Sequence, residues 1–212
     1  MGRSIAGMGG AHPIDVVLFD LGGVLVDPGG VEPMRLLSRL ASDDEVWARW
    51  LSCRWVRRFE SGACTPEDFA KGVVADWGLD LDPGEFLAEF ASWPGGPYAG
   101  ALDLVGAVGT AVPVGCLSNT NAAQWLAHLD GTALADAFDY RFLSFERGMV
   151  KPDAATFLAV ADRLTAPPER VVFLDDNAAN VEGAASVGFV ARLARGVEEA
   201  RAVLLDVGLL AG

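Results

Sequence analysis

The sequence is poor in the residues that most often carry zinc and triad chemistry. It holds two histidines, His12 and His128, which leaves little room for a serine–histidine triad or a histidine-rich zinc site. Its three cysteines, Cys53, Cys64 and Cys116, are scattered without CxxC spacing. They read as reduced thiols of a cytoplasmic protein, not as a disulfide framework. Positive charge is scarce: 16 Lys and Arg stand against 29 Asp and Glu, for a formal charge of -13 and a pI near 4.4. That balance argues against nucleic acid and anionic membrane surfaces as partners. No apolar run is long enough to cross a bilayer. Met1 to His12 is glycine-rich without a hydrophobic signal core and reads as a loose leader. What the chain does have is apolar content, 51% of 212 residues. That suits one large domain, or one domain carrying an inserted subdomain.

The run from Val16 to Leu25 organises the rest. It begins with adjacent valines and a phenylalanine, the pattern of a strand buried on both faces of a parallel sheet, and ends in Asp20 followed by Gly22-Gly23. Such a strand delivers its carboxylate to the C-terminal edge of the sheet, where ligand crevices of open α/β sheets lie.

After Asp27-Pro28-Gly29-Gly30 the period changes. From Pro33 to Trp93 the chain reads as consecutive amphipathic helices, with starts at Asp43-Asp44-Glu45, Thr65-Pro66 and Asp82-Pro83-Gly84-Glu85. Trp93-Pro94-Gly95-Gly96-Pro97 closes the block as a second hinge. From Tyr98 onward helix and strand alternate, with strands expected at 112–117, 140–144, 171–174 and 188–192, which implies parallel strands with right-handed crossovers. The expected fold is α/β: a doubly wound, Rossmann-like parallel-sheet core (13–27 with 98–212) and an all-helical cap (28–97) inserted after the first strand.

Apolar strands end in Asp20, in Ser118 and in Asp175-Asp176, and Lys151 precedes a helix nearby. Three aspartates converging without counter-charge repel one another and raise each other's pKa. A hard divalent cation relieves this; magnesium prefers oxygen ligands and takes one or two carboxylates together with a substrate phosphate. Ser118, backbone N–H groups and Lys151 then remain for the phosphate oxygens.

Asp20-Leu21-Gly22-Gly23-Val24, Leu117-Ser118-Asn119-Thr120, Lys151-Pro152 and Leu174-Asp175-Asp176-Asn177 stand in order along the chain. Together they resemble the four motifs of the haloacid dehalogenase-like superfamily, over Ile14 to about Arg192. The segments around Asn119-Thr120-Asn121, Gly148 to Asp153 and Asp175 to Ala184, with Phe59-Glu60-Ser61-Gly62 and Thr65 to Phe69 in the helical block, are similar to bacterial sugar-phosphate phosphatases of the glucose-1-phosphatase type.

The resemblance implies roles. Asp20 is the nucleophile that forms an aspartyl-phosphate. Ser118 and Asn119 bind the phosphoryl group, and Lys151 neutralises charge on it and on Asp20. Magnesium is held by Asp20, the Gly22 carbonyl and Asp176, with Asp175 a further ligand or an acceptor for metal-bound water. Asn180 orients one of those waters. The substrate is a small phosphorylated metabolite, such as a hexose 1-phosphate, and the protein is a monomer or homodimer. The bland alternatives make Ser118 and Asn180 helix caps, Arg54, Arg57 and Arg58 a solvated face, the tryptophans of the helical block packing, and His128 an ordinary surface residue.

Gly22 departs from the pattern. Most phosphatases of the resembled superfamily carry there a second aspartate that protonates the leaving alcohol, a contribution of ~10²–10⁴-fold. Water or a carboxylate of the helical block such as Glu60 substitutes, or the leaving group is good enough to need no acid, or the protein is a weak or silent enzyme. Metal-free 2-haloacid dehalogenases also lack that aspartate, because carbon–halogen cleavage needs no proton donor. Asp175-Asp176 argues against them, since unrelieved carboxylates repel a carboxylate substrate. Phosphatase ranks first, dehalogenase second, and a non-catalytic phosphate-binding or regulatory protein third.

Overall fold

The run Val16–Phe19 forms β1, and its side chains divide by alternation: Val17 and Phe19 enter one hydrophobic cluster, Val16 and Leu18 another. The period of two in a strand puts successive residues on opposite faces, so an unbroken apolar run is what a doubly covered sheet requires. The computed structural model describes residues 14–164 and 166–211. His12 and the glycine-rich leader lie outside them.

A short strand, β2 (Val26–Asp27), leads into five helices: α1 (Glu32–Ser38), α2 (Asp43–Leu51), α3 (Arg54–Glu60), α4 (Pro66–Trp77) and α5 (Pro83–Ser92). β3 (Gly96–Pro97) returns antiparallel to β2, with Val26 opposite Pro97 and Asp27 opposite Gly96. The outgoing and returning chains therefore run side by side. The rest is α6 (Ala101–Gly109), β4 (Val114–Ser118), α7 (Ala122–His128), α8 (Ala133–Asp136), β5 (Tyr140–Leu143), α9 (Ser144–Arg147), α10 (Ala154–Leu164), β6 (Val171–Asp175), α11 (Ala178–Ser186), β7 (Val190–Leu193) and α12 (Gly196–Asp206). A 3-10 turn at Pro168–Arg170 leads into β6.

β1, β4, β5, β6 and β7 form a fully parallel sheet in the order β5-β4-β1-β6-β7. The chain builds outward from β1 on one side through β4 and β5, then crosses back to its other side for β6 and β7. Beside β1 the winding reverses, which is where such sheets open a crevice at their C-terminal edge. The α/β expectation holds, with helices packed on both faces.

The five helices have a core of their own, built on Phe59, Phe69, Phe86 and Phe90 with Trp50 and Trp77. Phe59 and Phe69 stack at 4.4 Å and 14°. Truncating such a buried ring to Ala costs ~3–5 kcal/mol. The helix starts follow the sequence signals. Thr65 Oγ1 accepts from the N–H of Asp68 at 3.1 Å, with Pro66 in the first turn. Asp82 and Glu85 form a reciprocal capping box.

Several boundaries move. β4 starts at Val114, just beyond Pro113, which has no N–H to give a ladder. β7 starts at Val190, because Gly188 sits at φ +99 in a turn. α11 begins at Ala178, where Asn177 caps it by accepting from Ala179 N–H at 3.0 Å. The short helices α8 and α9 carry no expectation from sequence: four residues give no readable period.

Candidate active site

Asp20 follows β1, Ser118 ends β4, and Asp175 ends β6. These are the three central strands, so hydrogen bonding between them brings the residues to one edge. Carboxylate oxygens of Asp20, Asp175 and Asp176 lie within 4.8 Å of one another. Lys151, 3% exposed, enters between them. Its Nζ is 2.9 Å from Asp20 Oδ1 and 2.6 Å from Asp175 Oδ2.

The adjacent carboxylates of Asp175 and Asp176 differ in what they touch. Asp175 is fully buried. Its Oδ2 accepts from Lys151 Nζ at 2.6 Å and from Asn180 Nδ2 at 3.1 Å. Its Oδ1 accepts from Asn180 Nδ2 at 3.0 Å and from Asn177 N–H at 2.9 Å. A carboxylate has about four lone-pair sites, so Asp175 is saturated. Both expectations for it, further ligand and acceptor for metal-bound water, need a lone pair that these protein donors already occupy. Asn180, expected to orient a water, gives its Nδ2 to Asp175 and keeps its Oδ1 without a partner among the described residues. Asp176 is half-buried and makes no salt bridge with a described residue.

The electrostatics follow from burial. Desolvation raises the Asp20 pKa to about 7; Lys151 opposes this, while Asp175 and Asp176 add to it. Desolvation and Asp175 likewise raise Asp176. Burial works to lower Lys151, but the Asp20 and Asp175 carboxylates outweigh it and hold the ammonium above its ordinary value.

The glycines divide in the same way. A Cβ on Gly23, whose φ is +75, would stand 2.2 Å from Asp176 Oδ2, so only glycine lets the turn pass that carboxylate. A Cβ on Gly22 would meet only Pro28 Cβ, at 3.8 Å. The Gly22 carbonyl accepts no hydrogen bond among the described residues.

Asp20, Lys151, Asp176 and Glu60 line one cavity of ≈ 370 Å³. Ser118 lies in a smaller one of ≈ 100 Å³, with Leu21 and Gly22; Asn119 borders both. Asn119, expected at the substrate, has both ends of its side-chain amide engaged: Oδ1 accepts from Lys151 N–H at 2.9 Å and Nδ2 donates to Lys151 C=O at 3.0 Å. A third cavity, ≈ 190 Å³, lies between the helical block, which lines it with Trp47, Trp50, Phe59, Phe69, Phe90 and Trp93, and the stretch 119–124 after β4; it shares Glu60, Trp47, Trp50, Val56 and Asn119 with the first. Trp50 and Trp77 pack edge to face as expected, whereas Trp47 is 43% exposed and lines both cavities.

The helical block is tied to the sheet edge by contacts that the sequence did not show. Gln124 Nε2 donates to Phe90 C=O at 3.1 Å, and His128 Nε2 lies 2.6 Å from Ala91 O. His128 thus closes the end of α5 and is not an ordinary surface residue. Arg57 pairs with Asp153 at 2.6 Å, so one member of the arginine cluster faces the core. Ser144 Oγ accepts from Thr120 N–H and donates to Thr120 C=O, at 3.0 and 2.9 Å, bracing the turn after β4. Cys53, Cys64 and Cys116 are free thiols, and burial pushes Cys116 up to about 12. Among the described residues no helix is long and apolar enough to cross a membrane.

Residues 14–188 match the family of haloacid dehalogenase-like hydrolases. The chain is 40% identical over 62 residues to rat bifunctional epoxide hydrolase 2, covering 29% of this chain and 11% of that protein. It is 28% identical over 134 residues to pyrimidine 5'-nucleotidase YjjG of Escherichia coli, 58% of this chain and 57% of the relative. It therefore spans well under two thirds of both. To the (S)-2-haloacid dehalogenase of Pseudomonas putida it is 27% identical over 191 residues, 83% and 82% of the two chains. The HAD family enzyme bt-2542 of Bacteroides thetaiotaomicron shares the fold, with a TM-score of 0.71, 24% identity, and 87% of this chain against 95% of that one. A structure of the same enzyme in complex with magnesium and inorganic phosphate aligns with a TM-score of 0.69, at 23% identity over 86% and 94%.

Proposed function

The chain belongs to the haloacid dehalogenase-like hydrolase family, and within it we propose a magnesium-dependent phosphatase of a small phosphorylated metabolite, working through an aspartyl-phosphate on Asp20. Residues 28–97 act as a cap over a core of 13–27 with 98–212. One observation carries the reading. Asp175 is spent on Lys151 and Asn180, whereas Asp176 stands within 4.8 Å of Asp20 without a salt bridge. Two such carboxylates repel each other unless a cation lies between them.

The donor set fits magnesium: Asp20, Asp176 and the unengaged Gly22 carbonyl are hard oxygen ligands, and the cavity that Asp20 and Asp176 border leaves room for waters. When bound, the ion supplies positive charge to Asp20 and to the phosphoryl oxygens. The chain's own residues do the rest. The free Asp20 oxygen attacks phosphorus as the bond to the leaving oxygen breaks. Lys151, held by Asp175 and by the Asn119 amide, keeps its ammonium on Asp20 and on the charge that develops beside it. Ser118 donates to the phosphoryl group. Water then attacks phosphorus, releasing phosphate and the Asp20 carboxylate. The aromatic cap cavity next to Glu60 takes the leaving group, which suits a ring with an apolar face, as a hexose 1-phosphate offers. The three free thiols suit a reducing compartment, the cytoplasm.

The test is a panel of phosphate monoesters, hexose 1-phosphates and 2-haloacids, run with magnesium and in chelator. Phosphate release that requires magnesium and is lost in Asp20→Asn supports the reading. Halide release in chelator overturns it in favour of the dehalogenase that the Pseudomonas relative represents. Binding of magnesium and phosphate without turnover overturns it in favour of a regulatory protein.

A further inference from the structure

We propose that Glu60, from the last turn of α3, is the proton donor that position 22 lacks. The proposal rests on the phosphatase reading above and names its missing catalytic group.

The ionisable side chains of the cavity that holds Asp20 are Asp20, Arg57, Glu60, Lys151 and Asp176. Four are committed. Asp20 is the nucleophile and Asp176 faces the cation; Lys151 joins Asp20 to Asp175, and Arg57 is paired with Asp153. Glu60 remains. Among the described residues its carboxyl makes no hydrogen bond and no salt bridge. It borders both the cavity of Asp20 and the aromatic cavity of the cap. A phosphate monoester with its phosphorus at Asp20 and its organic part in the cap cavity carries its leaving oxygen past that junction.

Glu60 is also held in place. One turn before it, Arg57 Nη2 meets Asp153 Oδ2 at 2.6 Å. Two residues after it, Gly62 at φ +68 runs so close to α9 that a Cβ there would lie 2.3 Å from Phe145 O. Both contacts fix the end of α3 to the core. Glu60 is half-buried, and desolvation raises its pKa to about 7, with Lys151 and Arg57 opposing. A general acid works best with a pKa near the working pH.

In the first half-reaction the Glu60 O–H bond breaks as the bond from phosphorus to the leaving oxygen breaks. The proton goes to that oxygen, and the electron pair stays on Glu60 as a carboxylate. In the second, a water oxygen attacks phosphorus and Glu60 takes the water's proton. The bond from phosphorus to Asp20 breaks, and both side chains return to their starting states.

Single-turnover measurements on Glu60→Gln with magnesium, using ethyl phosphate and p-nitrophenyl phosphate, test this. Ethanol release should fall ~10²-fold or more. p-Nitrophenolate leaves without a proton, so its burst should change only a few-fold, after which the aspartyl-phosphate should persist, detected by mass. Glu60→Asp, which keeps an acid on a shorter arm, should recover part of the ethanol rate and serves if the glutamine variant does not fold. Equal losses on the two esters, or no loss, overturn the role of Glu60 while the phosphatase reading stands. Absence of magnesium-dependent phosphate release from the unmodified protein overturns that reading itself.

Discussion

Asn119 holds the peptide unit of Lys151 at both ends, accepting from its N–H at 2.9 Å and donating to its C=O at 3.0 Å. The residue after Ser118 therefore fixes the lysine that serves Asp20. Asn119→Ala should lower kcat ~10-fold or more with KM nearly unchanged, because the ammonium stabilises charge that develops after binding. Asn119→Asp keeps only the accepting end and should recover part of the loss. A KM effect with constant kcat would return Asn119 to the substrate.

Asp175 and Asp176 should separate cleanly. Asp175→Ala removes a fully buried carboxylate from Lys151 and Asn180 and should destabilise the fold by ~3–5 kcal/mol, as when a buried ion pair loses one partner. Asp176→Ala should leave stability nearly unchanged and raise the magnesium requirement strongly. Denaturant melts and magnesium titrations of the two proteins check this; the reverse pattern would place the cation on Asp175.

Gly22→Asp should rescue Glu60→Gln. A Cβ at position 22 meets only Pro28 at 3.8 Å, so the new side chain can leave the backbone without a clash. Ethyl phosphate hydrolysis in the double variant should rise up to ~10²-fold over Glu60→Gln alone, with little change for p-nitrophenyl phosphate. In the unmodified background the same substitution should give a smaller gain, since an acid is already present. Equal gains in both backgrounds would mean that Glu60 donates no proton.

Glu60 also makes a prediction for stability. Its pKa rises from 4.5 to about 7 on folding. A carboxyl raised in this way contributes stability that is present below its unfolded pKa and is lost as pH rises through its folded value. The Tm of Glu60→Gln relative to the unmodified protein should therefore be more favourable at about pH 8 than at about pH 5. A difference independent of pH would mean that Glu60 is freely solvated.

The strand ends were legible because the sheet is parallel: each apolar run stops at a polar residue, and parallel strands stop at the same edge. Thr65-Pro66 and Asp82-Pro83 marked helix starts because capping is a local reaction between neighbours. Illegible were the partners reached across sequence. Asn119 finds Lys151 32 residues on, and His128 finds Ala91 37 residues back. Asp175 and Asp176 are neighbours in the chain, but the first meets Lys151 and Asn180 and the second does not. The sequence offers Glu60 as a substitute acid, but the pinning of α3 that brings it to the junction depends on Asp153 and Phe145, far along the chain.

β2 and β3 pair residue for residue, with Asp27 opposite Gly96. To the sheet, everything between them is one loop, however many helices it contains. Paired strands lie ~4.8 Å apart, a gap that a two-residue Asn-Gly turn closes. The helical block can thus be cut out at Asp27 and Gly96, or replaced by another of any length, without rethreading a strand of the sheet. Asp20, Ser118, Lys151 and Asp176 lie outside the excised piece and Glu60 inside it. Such a graft would exchange Glu60 and the helical wall of the cavity beside it together, while the wall formed by 119–124 and Asp20 stay where they are.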